Sequence, residues 1–269
     1  MDGFLLPSPM EHISRNGQAI APPDGIEIQL AMTPPTRAQA YKIRHDGYLS
    51  YNYIIAREDG SFSDKYDERQ NVRTVVVYKN QVAAATVRVC LFDPSGNFPD
   101  ADRIPAMEIF GSEIREMTAA GAASPANGLR AVEVTRLARH GDFANDKTII
   151  HALFRAVGYL VLYFQADIVL NACRPHHMPI YTRFGFQKIE EPRQYPNLTY
   201  KAGLMACYRS NYGNARRNLS FLRGISTDDQ AYASLIAGER CTLGASAPEK
   251  LTQHAPVPQK DYTETRRAA

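Results

Sequence analysis

The sequence predicts one mixed α/β domain, of the α+β kind with a mixed sheet, and three observations carry that prediction. Alternating or continuously apolar runs typical of strands recur between stretches of helical periodicity. Two of the strand runs abut across a tight turn, which makes an antiparallel hairpin. The order of elements is strand, helix, hairpin, helix, strand, helix, strand, helix, strand, with no internal repeat. A chain of 269 residues admits one large or two small domains. This order runs as one unit over 25–224, flanked by a poorly ordered arm at 1–24 and a largely disordered extension at 225–269.

Each element has its own signal. Residues 1–24 hold several prolines and no periodic pattern. GIEIQLAMT (25–33) alternates as a half-buried strand does. Pro35 and Thr36 are start signals for a helix over 35–50, with Ala40, Ile43 and Tyr48 on its apolar face. Residues 51–70 are polar and aromatic, a loop long enough to suggest function. The runs 72-VRTVVVYKN-80 and 81-QVAAATVRVCLFD-93 meet at Lys79, Asn80 and Gln81, the hairpin turn. A helix is expected around MEIFGSEIREMTAAG, followed by the small-residue loop SPANG and a strand opening at Ala131. Then come a helix from about Asp146 to Gln165, a buried strand at 167–173, a short helix at 176–183 and a strand-like run at 200–209. Beyond Gly224 the composition turns to Ala, Ser, Thr, Gln and Pro, with one further helix offered at 228–238.

Composition excludes several classes. With 44% hydrophobic and 22% charged residues the chain reads as soluble and globular. Cys90, Cys173, Cys207 and Cys241 are dispersed, without a CxxC pair or a nearby His at ligand spacing, so neither a disulfide framework nor a metal site is expected. The N-terminal MDGFLLPSPMEH lacks the charge and apolar run of a signal peptide, and the cytoplasm is the expected compartment. The apolar run 149–170 is broken by Arg155 and Asp167, which fits a core helix and a buried strand rather than a transmembrane span. His176 and His177 read as helix-start residues. A net charge of +3 gives no reason to expect a nucleic-acid partner. Its distribution is uneven: no acid occurs between Pro192 and Thr227, where Arg193, Lys201, Arg209, Arg216, Arg217 and Arg223 all lie. That stretch is either a solvated basic face or a docking surface for an acidic partner.

The strand at 131-AVEVTRLARHGDF-143 carries an acid and a base, Glu133 and Arg136, among Val132, Val134 and Leu137. In a regular strand residues three apart point to opposite faces. A bulge around Val134–Arg136 would reverse the alternation, bring both charges to one cleft and free a backbone N–H.

Together with the element order, 181-YTRFGF-186 resembles the GNAT acyltransferase superfamily. Four further features narrow the resemblance: Arg44 and Tyr48 on the first helix, Asp64 and Asp67 in 63-SDKYD-67, Arg88 in 86-TVRV-89, and the E-x-x-R of Glu133 and Arg136. That ordered set, over roughly 40–186, is similar to the acyl-homoserine lactone synthases and the related N-acyl amino acid synthases. The chain has no Trp where the lactone synthases place one after the first helix; Tyr51 and Tyr53 stand there instead. The interval from Arg88 to Glu133 is also longer, with an added helix, and both departures favour the N-acyl amino acid synthase branch. The resemblance implies a GNAT-like fold with a central, mostly antiparallel sheet flanked by helices. It implies an enzyme transferring a long-chain fatty acyl group to the α-amine of an amino acid. The rivals are lactone synthesis from S-adenosylmethionine, a CoA-dependent acetyltransferase, and an inert module that binds a carrier protein.

No tightly bound cofactor is expected; the donor would be the acyl-phosphopantetheine of an acyl carrier protein, with acyl-CoA the alternative. CoA-dependent relatives hold pyrophosphate on a Gly-rich loop at a helix N-terminus, whereas 139-RHGDFANDKT-148 has one Gly and puts Asp142 and Asp146 there. A carrier protein is acidic, which would give Arg209, Arg216, Arg217 and Arg223 a docking role. A lipid product would also bring the protein near membranes. Glu133 is the candidate for base or ammonium holder, with Arg136 beside it, and Tyr181 either protonates the leaving sulfur or only packs. Arg44, Tyr48, Asp64, Asp67 and Arg88 either contact substrate or fasten the 51–70 loop, since buried charges gather in pairs. Phe92, Met107, Ile109, Phe110, Phe154 and Leu160 are candidates for an acyl tunnel, or else plain core.

Overall fold

The computed structural model describes residues 25–119, 127–195 and 198–243. The expected N-terminal arm and the end of the chain lie outside the described residues. β1 (Ile26–Leu30) buries Ile26, Ile28 and Leu30 and turns Glu27 and Gln29 outward. α1 (Pro34–Leu49) opens on a capping box between Thr33 and Thr36, with prolines in its first turn. β2 (Val72–Lys79) and β3 (Val82–Phe92) form the expected hairpin. Its two-residue turn, Asn80 and Gln81, takes positive φ at both positions, 50° and 69°, as a twist-matched hairpin turn requires.

α2 (Met107–Thr118) leads to β4 (Ala131–Arg139), and α3 (Lys147–Tyr163) follows with Asp146 as its N-cap. β5 (Ile168–Cys173), α4 (Met178–Arg183), β6 (Gln187–Gln194) and β7 (Lys201–Tyr208) come next. The described chain closes with α5 (Arg209–Asn218), α6 (Gln230–Ile236) and the two-residue β8 (Cys241–Thr242).

Among the described residues one sheet runs in the order β6-β7-β5-β4-β3-β2-β1-β8. Only β4 and β5 pair parallel; every other neighbouring pair is antiparallel. One face packs α3 and α6 through Val75, Val77, Leu153 and Leu235. The other packs α1 through Val76 and Tyr78, and α2 through Cys90 and Phe92. Helices thus cover both faces, and the core lies in two layers about the sheet.

The boundary expected at 224 falls inside this domain. Ile225, Ala231, Leu235 and Leu243 are buried in the α3-side core, and β8 pairs with β1. A composition rich in small and polar residues hid four anchor positions. β6 was not expected as a strand because Pro192 and four charged residues interrupt it. It is the sheet's edge, where proline and charge are tolerated and discourage further pairing. α5, also unforeseen, buries no residue fully and therefore has no apolar stripe to read.

Arg155, the charge inside the apolar run, holds the C-terminal segment. It donates to Phe221 O at 3.0 Å and Arg223 O at 2.9 Å, and reaches Tyr159 Oη and Asp229 from the same fork. Replacing Arg155 with Met should cost about 2–3 kcal/mol, as charged hydrogen bonds are lost inside the fold. Amide hydrogen exchange should localise the loss to 219–229, ahead of the sheet.

Candidate active site

The site begins with an irregularity in β4. Ala85 pairs with Arg139 and Thr86 with Ala138, but the next pair is Arg88 with Thr135. Arg136 and Leu137 therefore stand together opposite Val87, one residue too many for a regular ladder. Arg136 takes a φ of 53°, in the left-handed region that residues with a Cβ seldom occupy. The bulge brings Arg136 to the face already occupied by Glu133, and this is how E-x-x-R becomes one cluster on a strand.

Asp64 is the meeting point. Arg88 grips it with both terminal nitrogens, at 2.7 and 3.0 Å, while Arg136 reaches Oδ2 through Nε at 3.1 Å and Nη2 at 2.6 Å. Asp67 stands beside it, 2.7 Å from Arg44 and 2.9 Å from Arg88. Arg44 completes its fork on Thr74 Oγ1 at 2.9 Å. Arg44 and Arg88 are wholly buried. Burial alone would raise both Asp carboxyls, but Arg88 with Arg136 overcomes it at Asp64, and Arg44 with Arg88 at Asp67. Asp64 stays ionised well below the usual carboxylate range, and Asp67 below its ordinary value. Aromatic rings close the network: Arg136 lies 4.6 Å from the Phe62 ring centroid and 6.0 Å from that of Tyr48, which packs on Phe62. The cluster thus clamps the 51–70 loop onto the sheet.

Glu133 is different. It is fully buried, Oε2 accepts the Ala106 N–H at 2.8 Å, and Oε1 has no hydrogen-bond partner among the described residues. Desolvation pushes its carboxyl up to about 7, against the downward pull of the Ala106 N–H and of Arg88 and Arg136. A carboxylate of that proton affinity exchanges a proton near neutral pH. Tyr195 Oη, also buried without a hydrogen-bond partner, lies in the field of Glu133.

Beside Glu133 the sheet opens. β4 and β5 pair only from Ala131–Ile168 to Glu133–Leu170, although both strands continue. One residue further, Asn171 Nδ2 donates to Val134 O at 3.1 Å, a side chain in place of the missing backbone partner. The same amide donates to Tyr181 Oη at 3.3 Å, placing that phenol at the opening; burial pushes its pKa up. On the α3 side of the opening lies an apolar cavity of about 120 Å³. Val134 and Val169 border it from the diverging strands, Phe154 and Val157 from α3, and Leu219 and Leu222 from the segment after α5.

A sequence model of the N-acyl amino acid synthase FeeM matches residues 39–208, more than half of the chain. The chain belongs to the FeeM family of N-acyl amino acid synthases. It is an acyltransferase, and its fold is GNAT-like, as the sequence predicts. The solved structure of FeeM, an N-acyl amino acid synthase from uncultured soil microbes, is 18% identical over 71% of this chain and 94% of its own, with a TM-score of 0.57. The CoA-dependent acyl-homoserine lactone synthase BjaI, solved with MTA, is 16% identical over 74% of this chain and 90% of its own, with a TM-score of 0.48. A putative N-acetyltransferase from Lactobacillus plantarum is 13% identical over 69% and 99%, with a TM-score of 0.46. Comparison with curated protein sequences finds no significant match.

The family's sequence features meet in space: Arg44, Asp64, Asp67, Arg88 and Arg136 form the charge network, with Tyr48 against it and Glu133 in its field. Tyr181 stands apart from them at the strand opening. The four arginines expected to dock a carrier lie on α5 and just after it: Arg209 donates to Gln165 O and Ala166 O and pairs with Asp167 at 3.2 Å, Arg217 donates to Asn214 Oδ1, and Arg223 donates to Arg217 O at 3.2 Å. Arg193, from the same acid-free stretch, is tied to Glu113 and Glu190. Of the six candidate tunnel residues Phe154 borders the cavity, while Phe92, Phe110 and Leu160 are buried core and Met107 and Ile109 pack beside it. Sequence reasoning missed Asn171, Tyr195 and the Ala106 N–H. No motif marks them; only the strand divergence and the buried Glu133 do.

The opposite pKa shifts predict opposite pH effects. Asp64 and Asp67 supply stability above the ordinary carboxylate pKa of about 4, lost as pH falls through their lower folded values. Glu133 costs stability as pH rises from its ordinary value through about 7. Urea unfolding at several pH values should show Asp64→Asn weaker by about 3 kcal/mol at pH 7. Glu133→Gln should instead gain on wild type between about pH 4 and 7 and hold a constant gain above it.

Proposed function

We propose that the protein transfers a long-chain fatty acyl group from an acyl carrier protein thioester to the α-amine of an amino acid. The observation that carries this reading is Glu133: a buried carboxylate with one oxygen held, one oxygen without a partner and a proton affinity near neutrality, beside the opening between β4 and β5. An amino acid's amine is mostly protonated at neutral pH, so it needs such a base, directly or through one water. The freed nitrogen attacks the thioester carbon and the C–S bond breaks. Glu133 passes the ammonium's first proton to solvent and then takes the second from the nitrogen as the bond forms, while the departing thiolate takes a proton from Tyr181, which solvent reprotonates. Backbone N–H groups of β4 beyond Glu133, past the end of the β5 ladder, are the candidates to meet the oxyanion.

Two features favour a carrier protein as donor. Asp146 caps the N-terminus of α3, accepting from Thr148 N at 2.9 Å, and is paired with Lys79. An anionic carboxylate thus occupies the place where a helix would otherwise receive phosphate. The cavity, which at about 120 Å³ holds only part of a long acyl chain, is flanked by α5, which carries Arg216 and Arg217 in its last turn, so a basic surface adjoins the proposed entry. The reading places the enzyme in the cytoplasm; among the described residues no helix is long and apolar enough to cross a membrane.

The test offers acyl carrier protein thioesters of graded chain length with a panel of amino acids, and follows thiol release and product mass. An N-acyl amino acid is expected, with kcat/KM rising through about pH 7. Glu133→Gln should lower kcat by about 10²–10⁴-fold. A lactone formed from S-adenosylmethionine, or full activity in Glu133→Gln, would overturn the proposal.

A further inference from the structure

The charge network leaves a question about the acceptor. An amino acid substrate brings a carboxylate as well as an amine, and carboxylates are best held by the two-pronged fork of an arginine. Arg44 is committed to Asp67 and Thr74, Arg88 to Asp64 and Asp67, and Arg136 to Asp64. Arg44 and Arg88 thus have both prongs occupied, and Arg136 spends Nε and Nη2 on one aspartate.

Arg174 is placed otherwise. It follows the last residue of β5, on the strand that forms one wall of the opening, and is half-buried. Its guanidinium lies 4.1 Å from the ring centroid of Tyr53 and 5.6 Å from that of Tyr200, two rings that meet edge to face at 5.1 Å. Among the described residues its polar side-chain contact is Nη2 to His177 Nε2, 3.2 Å away. Arginine can only donate, so His177 is the neutral acceptor there. No carboxylate among the described residues pairs with Arg174. Its reach extends to the site: burial raises the phenols of Tyr181 and Tyr200, and the charge of Arg174 pulls each back. Tyr200 also lies in the field of Arg136, so the tyrosines bridge the space between the charge network and Arg174.

Resting on the reaction proposed above, we infer that Arg174 is the residue that binds the carboxylate of the acceptor amino acid. Tyr53 and Tyr200 hold the guanidinium in place by stacking, without neutralising it, and leave its charge for the substrate. A cation held by rings and a neutral imidazole is partly desolvated yet uncompensated, and an incoming carboxylate supplies the missing charge. Arg174 thereby sets the substrate class: α-amino acids rather than simple amines or amino acid amides.

The test compares an amino acid that the wild-type enzyme acylates with its own carboxamide, which keeps the α-amine and lacks the carboxylate. Wild type should prefer the acid. Arg174→Gln should lose about 10- to 100-fold in kcat/KM for the acid, mainly through KM, and little for the carboxamide, so that the preference collapses. Arg174→Lys, which keeps the charge but not the fork, should fall between. Turnover of the carboxamide should hold near the wild-type rate, which a general loss of folding would not allow. If Arg174→Gln kept the wild-type ratio of acid to carboxamide, the assignment would be wrong while the acyl-transfer reading stood. If wild type acylated no amino acid, both would fall.

Discussion

The constraint on which the site depends is the burial of three guanidinium groups against two aspartates. Arg44 and Arg88 are fully enclosed and Arg136 nearly so, and an unpaired charge in that setting costs several kcal/mol. Asp64 and Asp67 neutralise two of the three, and both come from the irregular 51–70 segment rather than from a strand or helix. The loop's position is therefore fixed by charge, with Phe62 and Tyr48 sealing the same guanidinium from the side. Three cations against two anions leave one positive charge, and Glu133 is the remaining acid within that field. Its proton affinity is set by opposed effects: desolvation wins, but the Ala106 N–H and the charges of Arg88 and Arg136 keep the shift small enough for titration near neutrality.

The bulge in β4 serves both halves of this arrangement. By adding a residue opposite Val87 it brings Arg136 to Asp64, and it does so just past the point where β4 leaves β5. A strand that kept its register would send Arg136 into the α3-side core, where Val132 and Val134 pack, and would leave Asp64 with Arg88 alone. The left-handed φ at Arg136 is a local cost, met by bonds from Nε and Nη2 to Asp64. Geometry and electrostatics are thus coupled in one residue.

Much of this was legible in the sequence because it is written in local patterns. Alternation located β1, apolar and β-rich runs located β2 to β5 and β7, and the mismatch of Glu133 with Arg136 signalled the bulge. The structure places the extra residue at Arg136–Leu137, at the edge of the span expected. What stayed hidden has physical reasons. β6 is an edge strand whose charges and proline suit solvent, and α5 rests on the cavity through Tyr212 and Ala215 without an apolar stripe. Asn171 and Arg174 are single polar residues at a strand end, identical in type to countless surface residues. Their roles come from where β5 diverges, which depends on contacts far apart in the chain. After Gly224 the helix offered at 228–238 is present as α6, but its place in the core was hidden, since four buried side chains within nineteen residues make no period.

The opening between β4 and β5 separates two chemical environments that a single pocket could not combine. On the α1 side are the ionised network, Glu133, Tyr48, Tyr195 and Tyr200; on the α3 side is a cavity walled mainly by valine, leucine and phenylalanine, with Asn171 and Tyr181 at its border. A fatty acyl group and an amino acid have opposite needs. The first must be shielded from water, and the second brings two charges that must be met. In the proposed reaction each approaches from its own face, and the bond forms where the strands part, beside Asn171 and Tyr181. Joining the faces through a sheet rather than a surface groove keeps Arg44, Arg88 and Arg136 out of the lining of the apolar chamber. The network can therefore tune Glu133 without solvating the cavity that the acyl chain would fill.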